Sequence, residues 1–270
     1  MFRYQKYAAA SLVILAGLIT ALALGPGRGG FRRDRGPVIT LFCAAGVRKP
    51  VREVIQRFEQ ETGATVEARF AGSGVLLSSL RLEEADLYLA ADRGYLEQAQ
   101  ERGLTVRIVP FARQYPVIAV RSGNPHQIRS LEDLTRDQIR VTLPDPERAA
   151  IGRIAKSLLE SESNWKPIWR HAILQRATVN DVANDIKLES ADAGIIWNTT
   201  AAQYPELDAI EISEFESAES EIGIAILKTS KQQELTERFI ANLLDENVGQ
   251  AIFARYGYGL ISREGSEVTP

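Results

Sequence analysis

From Val38 onward the chain alternates short apolar runs with amphipathic segments, and this alternation restricts the fold more than any other feature. Val38 to Cys43 is apolar enough for a buried strand. Val51, Val54, Ile55 and Phe58 then fall at i, i+3, i+4 and i+7, one face of a helix running to Thr62. Pro50 suits the first turn of that helix and Gly63 its C-terminal end. Thr65 to Phe70 alternates as a second strand, and Leu76 to Glu84 reads as a second helix. Asp86 to Ala90 is a third strand, Tyr95 to Arg102 a helix stopped by Gly103, and Val106 to Val109 a fourth strand. Such a βαβαβαβ order predicts a mainly parallel sheet with helices on both faces.

Pro116 to Val120 adds a strand, and the rhythm then restarts. A short helix opens at Leu131, Arg140 to Leu143 is a strand, and Ile151 to Glu160 and Asn180 to Glu189 are helices. Ala193 to Trp197 and Gly223 to Leu227 are strands, and two amphipathic helices, Gln232 to Leu244 and Asn247 to Tyr256, close the chain. Two α/β lobes accommodate these segments better than one very wide sheet. The expected partition is 37–115 for the first part of lobe 1, 116–221 for lobe 2, and 222–270 for a return mainly to lobe 1. Crossing segments are expected near Phe111 to Pro116 and Ser213 to Ile222. Ligands of such sheets bind at the carboxyl ends of strands, which makes a cleft between lobes the expected site.

Residues 1–36 stand apart. Arg3 and Lys6 precede an uncharged, mostly apolar run from Ala8 to Gly25, eighteen residues, or ~27 Å as a helix. That length just crosses a bilayer, and Ala21-Leu22-Ala23 offers a cleavage site inside the run. The linker from Gly25 to Pro37 carries Arg28, Arg32, Arg33 and Arg35, a charge pattern unfavourable to a cleaved export signal. The segment reads as an export signal or a retained membrane anchor. The whole chain has 32 Lys and Arg against 35 Asp and Glu; without residues 1–36 the counts are 26 and 34, a net of −8. An acidic body has no excess positive charge for nucleic acid, and an anion could bind it only through local donors.

The strand-to-helix turns carry the candidate chemistry. Gly46 ends the first, and Gly72-Ser73-Gly74 ends the second. Small residues let an oxyanion approach backbone N–H groups at a helix start, and Ser73 adds a hydroxyl donor; alternatively, the glycines only shape tight turns. Other chemistries lack their motifs. The residues two before and two after Ser73 are Ala71 and Val75, so the nucleophile-elbow pattern fails. Phosphate-loop and dinucleotide fingerprints are absent, and His126 and His171 have no triad partner at a telling spacing. With one cysteine, Cys43, neither an intramolecular disulfide nor a Cys-based zinc site can form. Asp86 and Asp92 flank the third strand, where structural roles suit them better than catalysis. The reading is a non-enzyme without a cofactor.

The stretch ITLFCAAGVRKPVREVIQRFEQETG, followed by FAGSGVLLSSL and ADLYLAAD, resembles the periplasmic molybdate-binding proteins of ABC transporters. The likeness continues in LPDPERAAIGRIAKSLLE, NDVANDIKLESADAGIIWNTTAA and LLDENVGQAIFARYGYG, covering Val38 to about Leu260 in the family's order. It implies the type II periplasmic binding protein fold, α/β with two lobes and a ligand cleft between them. It also implies an exported, monomeric protein that captures molybdate or tungstate by hinge closure and delivers it to an ABC permease. A membrane-tethered sensor or interaction protein on the same fold, and a binder of another anion such as sulfate, are the alternatives.

Carried over position by position, the family's second-turn serine falls on Ser73, beside Gly74. Its second-lobe backbone donor falls on Ile151, with Ala150 as neighbour, and a further helix-start donor on Val182. Two positions depart from the family. Its first-turn hydroxyl position is Gly46 here, and the tyrosine that closes over the oxyanion is Trp197, whose indole donates but cannot accept. Arg48 and Lys49, close to a helix start that normally disfavours cations, are possible accessory groups if an anion relieves that conflict. Arg113, at the first crossing segment, is a third; all three also suit a solvated surface.

Overall fold

A computed structural model describes residues 36–161, 164–216 and 218–261. The apolar run at Ala8 to Gly25 and its arginine-rich linker up to residue 35 lie outside the described residues. No helix among the described residues is long and apolar enough to cross a membrane.

Strand β1 (Val38–Ala44) is buried at five of its seven positions, the pattern of a central strand covered on both faces. It leads through a 3-10 turn at Ala45–Val47 into α1 (Arg48–Thr62), which buries Val51, Val54, Ile55 and Phe58. Gly63 ends α1 at φ +68, a left-handed conformation that only glycine adopts without strain, and its N–H returns to the Glu59 carbonyl at 2.9 Å. Next come β2 (Thr65–Ala71), α2 (Ser73–Ser79), β3 (Leu87–Ala90), α3 (Arg93–Glu101) and β4 (Thr105–Gln114).

Tyr115 then carries the chain out of the first sheet and into β5 (Pro116–Arg121) of a second. Tyr115 and Asn198 bracket this crossing. The Tyr115 N–H donates to Asn198 Oδ1 at 3.0 Å, and the Asn198 N–H donates to the Tyr115 carbonyl at 2.9 Å. The second sheet adds β6 (Val141–Pro144), α4 (Ala150–Ser161), α5 (Trp165–His171), β7 (Leu174–Arg176) and α6 (Val179–Lys187). It ends with β8 (Ala193–Trp197), α7 (Asn198–Ala201) and β9 (Leu207–Ile210). After a 3-10 turn at Ser213–Phe215 the chain returns through β10 (Ser220–Leu227), α8 (Gln233–Leu244), α9 (Gly249–Arg255) and β11 (Gly259–Leu260). The return strand starts at Ser220, two residues ahead of the boundary at 222 read from the sequence.

The first sheet runs β11-β4-β10-β3-β1-β2 and the second β7-β6-β8-β5-β9. The sheets are mixed, which corrects the expectation of mainly parallel ones. β1 pairs in parallel with β2 and β3, and β6 with β7 and β8, but β10 runs antiparallel to both β3 and β4, and β5 to both β8 and β9. The reason lies in the crossings: each sheet receives a strand that arrives from the other sheet, and that strand inserts against the direction set by the local βαβ units.

One apolar core runs through the structure. Phe58 of α1 meets Phe239 of α8 edge-on at 5.2 Å, and Phe111 of β4 meets Phe253 of α9 at 5.0 Å. The C-terminal helices are thereby fixed to the first sheet. Asp86 and Asp92 have structural roles: Asp86 accepts from the Thr40 N–H at 2.8 Å, and Asp92 caps α3 by accepting from the Gly94 N–H.

Candidate ligand cleft between the two sheets

Strand-to-helix junctions from both halves meet where the two face each other. The first half presents Ala44, Ala45 and Gly46 after β1, and Ala71, Gly72 and Ser73 after β2. The second half presents Ala149, Ala150 and Ile151 at the start of α4, Thr178 and Val179 at the start of α6, and Trp197 at the end of β8. Together with Ala91 they enclose a cavity of about 20 Å³, room for about one water molecule. None of these lining residues has an ionisable side chain. Whatever polarity the cavity offers comes from backbone N–H groups, two hydroxyls and an indole.

Ser73 is fully buried. Its Oγ accepts from the Ala91 N–H at 3.2 Å, and its carbonyl accepts from the Tyr88 hydroxyl at 2.9 Å. With one lone pair engaged by Ala91, the hydroxyl proton is available to the cavity. Across from it, the N–H groups of Ala150 and Ile151 belong to the first turn of α4 and have no acceptor within that helix. Thr178 accepts from the Asp181 N–H at 3.2 Å and donates to the Asp181 carboxylate at 2.7 Å, which fixes the start of α6. No described residue accepts from the Trp197 indole N–H.

Contact between the halves is direct. A Cβ on Gly72 would stand 2.1 Å from the Arg148 carbonyl oxygen and 2.5 Å from that of Ala177, so only glycine permits this approach. The Gly74 N–H donates to the Arg148 carbonyl at 3.2 Å, and the Tyr95 hydroxyl to the Pro146 carbonyl at 3.4 Å. Burial pushes the Tyr95 phenol up to about 12, so it remains a donor at any physiological pH. Arg153 of α4 forms an ion pair with Asp92, and Lys49 Nζ donates to the Gln203 carbonyl at 2.7 Å. Thr199 Oγ1 donates to Gln114 Oε1 at 2.9 Å.

Of the residues singled out from sequence, Gly46, Ser73, Ala150, Ile151 and Trp197 line the cavity. Val182 does not. α6 begins at Val179, three residues earlier, and the Val182 N–H already donates to the Thr178 carbonyl at 3.4 Å. Gly74 adjoins the cleft, but its N–H is engaged by Arg148.

The three cations also stand elsewhere. Arg48 lies over the Phe70 ring at 5.1 Å, and Lys49 over Tyr204 at 5.0 Å. Arg113 pairs with Glu219 at 3.4 Å and Glu221 at 3.8 Å. The aromatic faces resolve the conflict of cations beside a helix start without an anion. The sequence reading missed Thr178 and Val179, although Thr178-x-x-Asp181 is a helix-cap signature. It also missed the lining alanines, which carry no signal of their own.

Residues 39–259 match the family described as bacterial extracellular solute-binding protein. The chain belongs to that family. It is a family of solute-binding proteins, not enzymes, and a cleft walled by small neutral residues suits that role. Among its relatives, the molybdate-binding protein ModA of Mycobacterium tuberculosis (strain H37Rv) is 25% identical over 253 residues, 92% of this chain and 95% of that one. Among solved structures, the periplasmic molybdate-binding protein of Azotobacter vinelandii superposes with a TM-score of 0.71 at 14% identity, covering 83% of this solute-binding protein and all of the other. The sulfate-binding protein SubI from M. tuberculosis H37Rv superposes with a TM-score of 0.73 at 18% identity, covering 84% and 88%. Both are similar in fold: two lobes with a ligand cleft.

Proposed function

We propose that this solute-binding protein captures a tetrahedral oxyanion, molybdate or tungstate, by closure of its two halves, and delivers it to an ABC permease. The observation that carries the reading is the cavity wall. Residues with neutral donors line it from both halves, Ser73 with its hydroxyl from one, and Ala150 and Ile151 with helix-start N–H groups and Trp197 with its indole from the other. A dianion in a dry site must have its oxygens hydrogen-bonded, and donors split between two halves satisfy it only when the halves close. The names of the relatives favour molybdate within that class. A cavity of about 20 Å³ is too small for five heavy atoms, so ligand entry and accommodation require the contacts at Gly74, Tyr95 and Arg153 to loosen. The proposal includes an extracytoplasmic monomer, exported or anchored by residues 1–36. Its first lobe is built from 37–115 plus the return after residue 219.

The test is the thermal midpoint of the purified protein with molybdate, tungstate, sulfate and phosphate in turn. Ligand at a hundredfold its dissociation constant adds ~2.7 kcal/mol of stability, a shift of about 5–10 °C for a domain of this size. A shift with molybdate or tungstate is the expected result. A shift with sulfate alone transfers the protein to the other oxyanion, and no shift with any of the four favours the tethered sensor or interaction protein.

A further inference from the structure

Resting on that reading, the question becomes what replaces the side-chain donor that position 46 lacks. The nearest atoms to the space a side chain would fill there belong to the second half. A Cβ built on Gly46 would lie 3.1 Å from Val179 Cγ1, 3.7 Å from Trp197 Cδ1 and 3.7 Å from Thr200 Oγ1. Cδ1 is bonded to the indole nitrogen, so the N–H edge of Trp197 adjoins this space. Thr200 is fully buried, and its Oγ1 has no hydrogen-bond partner among the described residues. A buried hydroxyl without a partner is costly and uncommon. The contrast with Thr199 is informative: that equally buried hydroxyl is satisfied by Gln114 Oε1. The backbone at Gly46 is meanwhile held in place, its carbonyl accepting from the Tyr258 hydroxyl at 3.1 Å and from Gln203 Nε2 at 3.4 Å. Glycine at 46 therefore leaves a narrow window, tight against Val179 Cγ1, between the cavity wall and two donors that no described residue accepts from.

We infer that Thr200 is a ligand-contacting residue whose hydroxyl, reached through the window at Gly46, supplies from the second half the donor that the first half lacks. An oxyanion oxygen seated beside the Gly46 Cα takes the place a side chain would occupy and comes within reach of Thr200 Oγ1 and the Trp197 pyrrole edge together. The same geometry assigns Gly46 a reason: any Cβ there stands between the ligand and both donors. Position 46 and position 200 thus determine affinity as one unit.

The experiment is calorimetric titration of molybdate into the full chain in detergent, comparing wild type, Thr200→Val, Thr200→Ser, Gly46→Ala and the Gly46→Ala/Thr200→Val double variant. Thr200→Val keeps the side-chain shape and deletes a hydroxyl that is unpaired without ligand. The expected result is a molybdate Kd raised about 10- to 150-fold, the range for a hydrogen bond to a charged group, with a ligand-free thermal midpoint equal to or above that of wild type. Thr200→Ser retains wild-type affinity, and in the Gly46→Ala background Thr200→Val costs nothing further. The inference is overturned if Thr200→Val binds molybdate like wild type, or if its loss simply adds to that of Gly46→Ala, and in either case the oxyanion-binding reading stands. Wild-type protein that takes up no molybdate, tungstate or sulfate overturns both.

Discussion

The second half of the molecule carries another, larger cavity, and it differs from the cleft in every respect that bears on anions. Its volume is about 250 Å³, and its walls include Arg121, His126, Arg140, Glu189 and Asp192. It holds the cations that the cleft lacks. Its cations, however, are already engaged: Arg140 binds Asp192 at 2.7 Å, Arg121 binds Glu189 at 2.5 Å, and His126 Nε2 stands 3.5 Å from Asp192. The cleft has no ionisable wall and about one-twelfth the volume, yet it holds donors that no protein acceptor uses. Under the proposed function, unspent donors in a buried place, not charge, make the site. For an acidic body this also serves selectivity, because only a ligand with matching oxygens recovers what it loses in hydration.

The largest effect should come from breaking the closed approach itself. Gly72 has φ −64 and ψ 144, a conformation open to any residue, so alanine there is unstrained until the halves meet. In the closed form its Cβ overlaps backbone oxygens that cannot rotate away. Gly72→Ala is expected to weaken oxyanion binding by about 3 kcal/mol or more, over a hundredfold in Kd. The ligand-free thermal midpoint should stay at or above that of wild type with a closed-form population lost, readable by small-angle scattering. Ser73→Ala removes one donor and leaves the Ala91 N–H without its acceptor. The expected loss is ~1.5–3 kcal/mol of binding by calorimetry; unchanged affinity would remove Ser73 from the site.

Changes in the charged cavity should leave binding alone. Burial pushes the Asp192 carboxyl upward, but hydrogen bonds from the Arg140 side chain and backbone outweigh this and hold it below its usual value. A carboxyl so lowered contributes stability above its unfolded pKa of about 4, and that contribution is lost as pH falls through the lower folded value. Asp192→Asn should therefore cost about 1 kcal/mol at neutral pH and little in strong acid, by denaturant titration, with molybdate affinity unchanged. The smallest effect is a null one. With no ionisable lining group, molybdate affinity should be flat between pH 6 and pH 8. A slope of one proton in that interval would place a titrating side chain at the ligand.

Much of this contrast was legible in the sequence, for reasons that differ between regions. The apolar runs at Val38 and Ala193 are long and regular enough to announce strands, and β8 occupies the span read for it, Ala193 to Trp197. Gly46 and Gly72-Ser73-Gly74 mark the ends of the first two strands in the sequence itself, whereas Ala150, Ile151 and Trp197 were legible only through the family resemblance; Gly46, Ser73 and those three line one cavity. Val182 came from the resemblance as a helix-start donor, but the Thr178 cap starts that helix at Val179, so Val182 lies in its interior and off the cavity wall. The short elements α5, β7 and β9 left no periodic trace in three to seven residues. Arg48 and Lys49 were ambiguous because their partners, Phe70, Tyr204 and the Gln203 carbonyl, are distant in the chain. The alanine lining and the unpaired Thr200 hydroxyl are properties of packing, and no local pattern encodes them.

One measurement sets the two cavities directly against each other: a crystal grown with tungstate, with the tungsten located by its anomalous scattering. The account predicts a single strong peak between Ser73, Gly46, Ile151 and Trp197, and none beside Arg121 and Arg140. A peak in the charged cavity, or crystals that take up no tungsten while sulfate and molybdate also fail to bind, would contradict it.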